Sequence, residues 1–408
     1  MSELALLGGT PAKRKPFPQW PIYDDTEARL LMEVLESRRW WRTQGTKTAE
    51  FERQFAAYQG AQYGIAVTNG THALEVTLAG LGIGPGDEVI VPASTFIATA
   101  GAVLFAGALP VLVDVQPDTF NIDPDEVEAA ITDRTRAIIA VHLGGMPADL
   151  DRLTAIAARH RLPLIEDSAH AHGSAWNGQR VGTFGIAGTF SFQSSKTMTA
   201  GEGGIILTND AAFERQARSV HDCGRMPGEW FYSHFIYGSN YRLSEWQGAV
   251  LLAQLTRLDD QIARRDRNAR LLDRLFADVP AFTPQARPPQ VTCNGSYAYI
   301  LHYDRREAAA VPTARIIEAL KAEGIPNQAT YPPLHRVEVF ASGAYKSRLT
   351  GDLPERGDRM LNREFPNAVR AFADALWIPQ YALLGDDEDM HELVEAFRKV
   401  QRNARALL

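Results

Sequence analysis

From about residue 63 the chain alternates short, unbroken apolar runs with helical stretches, and few architectures accept that rhythm. Tyr63 to Thr68, Glu88 to Pro92, Pro110 to Asp114, Ala137 to Val141 and Leu162 to Glu166 each read as a buried strand. Thr71 to Leu81, Pro124 to Ile131 and Leu150 to His160 read as helices between them. Strands that are apolar on both faces belong in a mainly parallel sheet covered by helices on each side. The expected fold class is therefore α/β. Two further runs, Ala187 to Phe192 and Gly204 to Thr208, lie too close together for a helical crossover, which predicts a hairpin-like element.

The flanks read differently. Residues 1–62 form an arm, marked by Pro16, Pro18, Pro21, Trp20, Tyr23, Trp40 and Trp41, followed by a helix. Residues 63–265 make the large domain and 266–408 a smaller α+β domain. One long helical pattern runs from about Ser244 to Phe276, and the proline-rich stretch Pro280 to Pro289 reads as a linker or loop. Strands are expected at Tyr297 to Tyr303 and Leu376 to Pro379, and helices at Thr313 to Glu323 and Asp386 to Arg405.

Composition narrows the function classes. The net charge is −7, from 42 basic and 49 acidic residues without a long basic block, which argues against nucleic acid. The two cysteines, Cys223 and Cys293, have neither disulfide-framework nor metal spacing and suit a reducing cytosol. The N-terminal apolar patch lacks a preceding basic segment, a poor signal peptide, and no run approaches the ~20 apolar residues of a membrane span. The expectation is a cytoplasmic enzyme.

The chemistry centres on Lys196. It lies between an apolar strand-like run ending in hydroxyl residues and the glycine-rich turn Gly201 to Gly204. An amine held there can form a Schiff base with an aldehyde, and pyridoxal phosphate (PLP) is the common partner. Four further features fit that cofactor. Thr68 to Ala73 follows a predicted strand and opens a helix, so Gly70 allows close backbone approach to a phosphate and Thr71 adds a hydroxyl. Asp167 ends a predicted parallel strand, where a buried carboxylate keeps a pyridine nitrogen protonated; alternation turns its neighbour Glu166 the other way. His170, three residues on, either contacts the ring hydroxyl, stacks on the ring or is a hydrogen-bonded core histidine. Phe96, after another strand end, either stacks on the ring or is core, and Ser191 is placed to reach the phosphate.

Taken together, Ile165 to His170, Phe190 to Phe192 with Lys196, Thr199 to Gly204 and Gly238 to Glu245 resemble the sugar aminotransferase family of PLP enzymes. The resemblance runs from about Trp20 to Val400. It implies the aspartate-aminotransferase fold, with a large, mainly parallel domain and a smaller C-terminal one. It implies that Lys196 carries the cofactor and shuttles protons, that Asp167 pairs with the pyridine nitrogen, and that Gly70, Thr71 and Ser191 hold the phosphate while Phe96 stacks on the ring. Asn240 would reach the phosphate of the neighbouring subunit's cofactor, making a homodimer with two shared sites. Members with histidine in place of the lysine dehydrate sugars; Lys196 places this chain on the transamination side, with glutamate or glutamine as amino donor.

The acceptor is less sharply marked. Tyr331 to His335 resembles the Tyr-x-Pro-Leu-His stretch of nucleotide-sugar aminotransferases, so Tyr331 and His335 are substrate candidates, with a structural loop as the alternative. Trp40 to Gly45 resembles the early substrate loop, which makes Trp41 and Gln44 acceptor-site candidates unless they simply pack the arm. The paired tryptophans, Trp20 to Tyr23 and Arg218 to Arg225 resemble both the scyllo-inosose-aminating branch and the aminohydroxybenzoate synthase branch, which dehydrates and aromatises a ring. Transamination of a nucleotide-linked keto sugar or a ketocyclitol, in amino-sugar, aminocyclitol or antibiotic biosynthesis, ranks first. The dehydratase/aromatase reaction is the alternative. A non-catalytic binding protein on this fold would have no need of Lys196, Asp167 and the phosphate loop together.

Overall fold

The strands of the large domain are β1 (Tyr63–Val67), β2 (Glu88–Pro92), β3 (Leu109–Val113), β4 (Thr135–Val141), β5 (Leu164–Asp167), β8 (Ala187–Ser191) and β9 (Gly204–Thr208), with a two-residue pair, β6 (Ala175–Trp176) and β7 (Gln179–Arg180), between them. The computed structural model describes residues 3–226, 228–349 and 363–408. Seven of these strands form one sheet in the order β1-β9-β8-β5-β4-β2-β3. Six of them point the same way, and β9 alone is reversed, lying antiparallel to both β8 and β1. The close spacing of β8 and β9 thus gives the antiparallel pair expected of it.

Both faces are covered, which is why the strands read as unbroken apolar runs. Val89 and Val91 of β2 pack with Leu74 and Leu78 of α3 (Gly70–Gly80) and with Ala102 and Val103 of α4 (Ala98–Phe105). Ile90, between them, faces Val127 of α5 (Pro124–Ala130) and Leu153 and Ile156 of α6 (Leu150–His160). Each such side chain, fully buried, contributes about 1.5–3 kcal/mol.

A second sheet, β10-β12-β14-β13, is antiparallel and lies in the C-terminal part of the chain. Its strands are β10 (Phe282–Pro284), β12 (Ala298–Tyr303), β13 (Gln328–Ala329) and β14 (Ala375–Pro379), while β11 (Val291–Cys293) pairs instead with β6. The core beneath it includes Ile316 and Leu320 of the helix Thr313–Ala322 and Leu393 and Phe397 of the helix Asp387–Arg402. The N-terminal arm packs on this same core: Leu4 is buried in it, and Lys13 Nζ meets Asp389 at 2.7 Å and Glu392 at 2.8 Å.

Several local expectations are corrected. The stretch from Pro280 to Pro289 is not all loop, since Phe282–Pro284 pairs with Tyr303, His302 and Leu301. Its proline is tolerated because β10 is an edge strand. The pattern from Ser244 to Phe276 is two helices, α8 (Glu245–Leu255) and α9 (Leu258–Leu275). The break falls where Thr256 Oγ1 donates to the Ala253 carbonyl at 2.7 Å and Arg257 pairs with Asp24 and Glu27 of the arm. Residue 265, taken above as the limit of the large domain, lies inside α9. Strand β5 starts at Leu164 because the Leu162 N–H closes α6 on the Ala157 carbonyl at 2.9 Å and Pro163 has no N–H to give. Before β1 the arm carries two helices, α1 (Asp25–Ser37) and α2 (Lys47–Gln59), where one was expected. Among the described residues no helix is long and apolar enough to cross a membrane.

Candidate active site

The carboxyl ends of β5 and β8 and the segment after β2 open into one cavity of about 690 Å³, the position where ligands settle in a parallel sheet. Asp167 closes β5 and Ser191 closes β8; Lys196 sits in the turn that follows. Asp167 is buried, with Oδ2 accepting from Thr99 Oγ1 at 2.8 Å and Oδ1 from the Ala169 N–H at 3.3 Å. Burial pushes its carboxyl above the usual range, against the pull of these bonds and of Lys196. Glu166 points to the opposite face, where it accepts the N–H groups of Gly182 (2.7 Å), Phe184 (2.7 Å) and Gly185 (2.9 Å) and meets His142 Nε2 at 3.2 Å. Alternation along one strand therefore separates a cavity carboxylate from a structural one.

Burial brings the Lys196 amine down to about 8, countered by the Asp167 charge. Its Nζ lies 4.5 Å from the centre of the Tyr297 ring. The turn around it depends on backbone freedom: Gly201, at φ +79°, adopts the left-handed conformation that glycine takes most readily.

Gly70 and Thr71 line the cavity at the start of α3, which is capped by Asn69 Oδ1 accepting the His72 N–H at 2.8 Å. A Cβ at Gly70 would stand 2.7 Å from the Ser191 Cβ, so only glycine lets the helix N-terminus close on the end of β8. The variant Gly70→Ala is expected to lose about 1–3 kcal/mol of stability through that overlap and to bind PLP at least tenfold more weakly, as measured by thermal melting and by cofactor titration.

His170 also lines the cavity. Its ring stacks on Tyr297 at 4.0 Å and 21°, its Nδ1 accepts the Gly144 N–H at 3.4 Å, and its Nε2 lies 3.4 Å from the Tyr331 hydroxyl. Burial holds it well below the usual histidine range, so it is neutral at pH 7. Phe96 is 53% exposed, with its ring 5.8 Å from that of Tyr331 at the same cavity.

Eight of the residues singled out from sequence thus share one cavity: Gly70, Thr71, Phe96, Asp167, His170, Ser191, Lys196 and Tyr331. Four do not line it. Trp41 packs edge-on to Phe231 at 6.0 Å under the Arg242 guanidinium, and Gln44, which is exposed, closes a turn onto the Trp41 carbonyl at 2.9 Å. Asn240 is exposed beside Asp222. His335 lies against Phe365 at 5.0 Å. Conversely, Thr99 and Tyr297 were not anticipated. Thr99 belongs to α4 and Tyr297 to the approach to β12, and no local motif links either to Lys196.

The set suits PLP. It offers a desolvated amine for an aldehyde, a buried carboxylate for a ring nitrogen, a flat apolar side chain and a helix N-terminus cleared of side chains for a phosphate. The chain matches the DegT/DnrJ/EryC1/StrS aminotransferase family over residues 21–398. It belongs to that family. Among its relatives, 3-amino-5-hydroxybenzoate synthase of Amycolatopsis mediterranei is 41% identical over 94% of this chain and 97% of that protein. L-glutamine:2-deoxy-scyllo-inosose aminotransferase of Streptoalloteichus tenebrarius is 40% identical over 98% of each. The crystal structure of 3-amino-5-hydroxybenzoic acid synthase superposes with a TM-score of 0.85 at 40% identity, covering 95% of this chain and 99% of that one. The aminotransferase accordingly has the aspartate-aminotransferase-like PLP fold, with a large mixed, mainly parallel sheet and a smaller C-terminal domain, and its activity is PLP-dependent amino transfer.

Proposed function

We propose that this aminotransferase moves an amino group from glutamine or glutamate to the ketone of a nucleotide-linked keto sugar or of a ketocyclitol. The observation that carries this reading is the pairing of Lys196, its amine brought down to about 8, with the buried Asp167 in one cavity. PLP supplies the electron sink that lets an amine leave one carbon and join another. Lys196 would bind the cofactor through its amine, and the same amine would hold and move a proton at Nζ beside the substrate carbon. An amine near 8 is matched to that work at neutral pH. Asp167, oriented by Thr99, keeps the ring nitrogen protonated. Gly70, Thr71 and Ser191 hold the phosphate, Phe96 stacks on the ring, and His170 borders it.

Tyr331, which lines the cavity, is the acceptor contact that the single chain can supply. Trp41, Gln44 and His335 become acceptor contacts only with rearrangement or with a second subunit. A homodimer with shared sites fits the surface next to Asn240, where Trp230, Phe231, Tyr232, Phe235 and Tyr237 are all exposed. An apolar patch of that density favours burial against another protein surface. The expected pathway is the making of an amino sugar or aminocyclitol.

The full-length likeness to 3-amino-5-hydroxybenzoate synthase supports a second reading, dehydration and aromatisation of an aminodehydroshikimate-like ring. Incubating the holoenzyme and L-glutamine with a ketocyclitol, a nucleotide-linked keto sugar and that ring separates the two by product mass. Amine in place of the ketone oxygen is the expected product with one of the first two. Loss of water to an aromatic product from the third alone would replace the first reading with the second.

A further inference from the structure

Tyr297 occupies a place in this site that its sequence position does not announce. It precedes β12 of the small domain, yet its ring lies under Lys196, with Nζ 4.5 Å from its centre. Its hydroxyl is 3.0 Å from Oγ of Ser195, the residue before the lysine, and also meets the Tyr331 phenol. The ring plane is set by His170, stacked at 4.0 Å, and by the edge of Trp377 at 5.9 Å.

We propose that Tyr297 is a positioning residue for Lys196: its ring face holds the amine, favouring the protonated form, while its hydroxyl ties down the turn that carries the lysine. The inference rests on the reading of Lys196 as the working amine. An ammonium over a tyrosine face is attracted to the ring quadrupole, most strongly where water is excluded. The contact therefore opposes the burial that disfavours the charged lysine. The hydroxyl adds a second hold through Ser195, and both holds originate on a residue leading into the small-domain sheet. The orientation of the lysine is thereby tied to the seating of one domain on the other.

The other titratable groups acting on the lysine leave this effect readable. Asp167 favours its charge from β5, while His170 and His172 face it from the segment after that strand. Burial drives His172 down to about 3 and His170 well below its ordinary range, so neither changes charge near pH 8.

The test uses the cofactor-free full-length protein. The rate at which an amine-directed reagent modifies Lys196 is followed against pH by peptide mass. The parent midpoint is expected near 8. Tyr297→Leu keeps the apolar bulk and removes the ring quadrupole, so the midpoint should fall by roughly one pH unit. Tyr297→Phe keeps the ring, so the midpoint should hold. Tyr297→Met serves if the leucine variant does not fold. In the holoenzyme, Tyr297→Leu should lower kcat with little change in KM and move the acid limb of the kcat profile the same way. A midpoint in the leucine or methionine variant equal to that of the parent overturns the role of Tyr297 while leaving Lys196 as the working amine. An unreactive Lys196 in the parent overturns both.

Discussion

Replacing Lys196 with alanine should reduce amino transfer by at least roughly a thousandfold, because in the proposed function one residue both anchors PLP and moves the proton. It should also remove the visible absorption of the lysine-bound cofactor while the fold survives. The buried amine is brought down to about 8 from its ordinary 10.5, so the charged lysine is a cost to the folded state. That cost is fully present below pH 8 and disappears as pH rises through the window between the two values. The cofactor-free Lys196→Ala protein should therefore melt no lower than the parent at pH 7, and scanning calorimetry checks this. A visible band that persists in the variant would exclude Lys196 as the anchor.

Asp167→Asn is the second large effect. The substitution keeps the shape of the side chain and a carbonyl oxygen to accept the Thr99 hydroxyl, now 2.8 Å from Oδ2, but removes the charge proposed to hold the ring nitrogen protonated. A preorganised charge of this kind is worth about 10²–10³ in kcat, so a loss of that size is expected, with weaker PLP retention. Stability should move the other way. Burial raises the Asp167 carboxyl above its unfolded value, so ionised Asp167 destabilises the cofactor-free fold, increasingly as pH rises through that interval. The amide escapes this cost, and the cofactor-free Asp167→Asn protein should melt at or above the parent at neutral pH. A variant with unchanged kcat would mean that the ring nitrogen does not depend on this carboxylate.

Much of this architecture is legible in the residues because the physics behind it is local. Strands buried on both faces read as near-continuous apolar runs, so Val89 to Val91 of β2, Val111 to Val113 of β3 and Ala137 to Val141 of β4 stand out without any knowledge of their neighbours. Strand ends in a parallel sheet converge on one crevice, so Asp167 and Ser191 could be placed beside each other from their positions in separate runs. The separation of Asp167 from Glu166 followed from side-chain alternation alone. Tyr297 and Thr99 were hidden because their proximity to the site is a tertiary fact: one arrives from the small domain, the other across α4.

The turn between β6 and β7 carries a signal readable in the sequence itself. Asn177 and Gly178 both take positive φ, 48° and 82°, in the turn between β6 and β7, and an Asn-Gly pair is a strong hairpin marker. The broken helix at Thr256–Arg257 was hidden for a different reason. Its apolar period continues across the break, and what interrupts it is the contact of Arg257 with Asp24 and Glu27, more than two hundred residues away in sequence. The acceptor residues are the hardest to read. Trp41, Gln44 and His335, read from sequence as acceptor candidates, lie off the cavity of the single chain, and no pattern within their own segments signals that placement.

The proposed function requires an amino acid to surrender its amine to a cofactor held by Lys196. The direct measurement is to incubate the holoenzyme with L-glutamine or L-glutamate labelled with nitrogen-15 at the α-amine, without acceptor, and to weigh the cofactor released from the protein. One labelled nitrogen on the cofactor, matched by one equivalent of the corresponding keto acid and absent in Lys196→Ala, is the predicted result. Cofactor that returns unlabelled from both amino acids, with no keto acid formed, would contradict it.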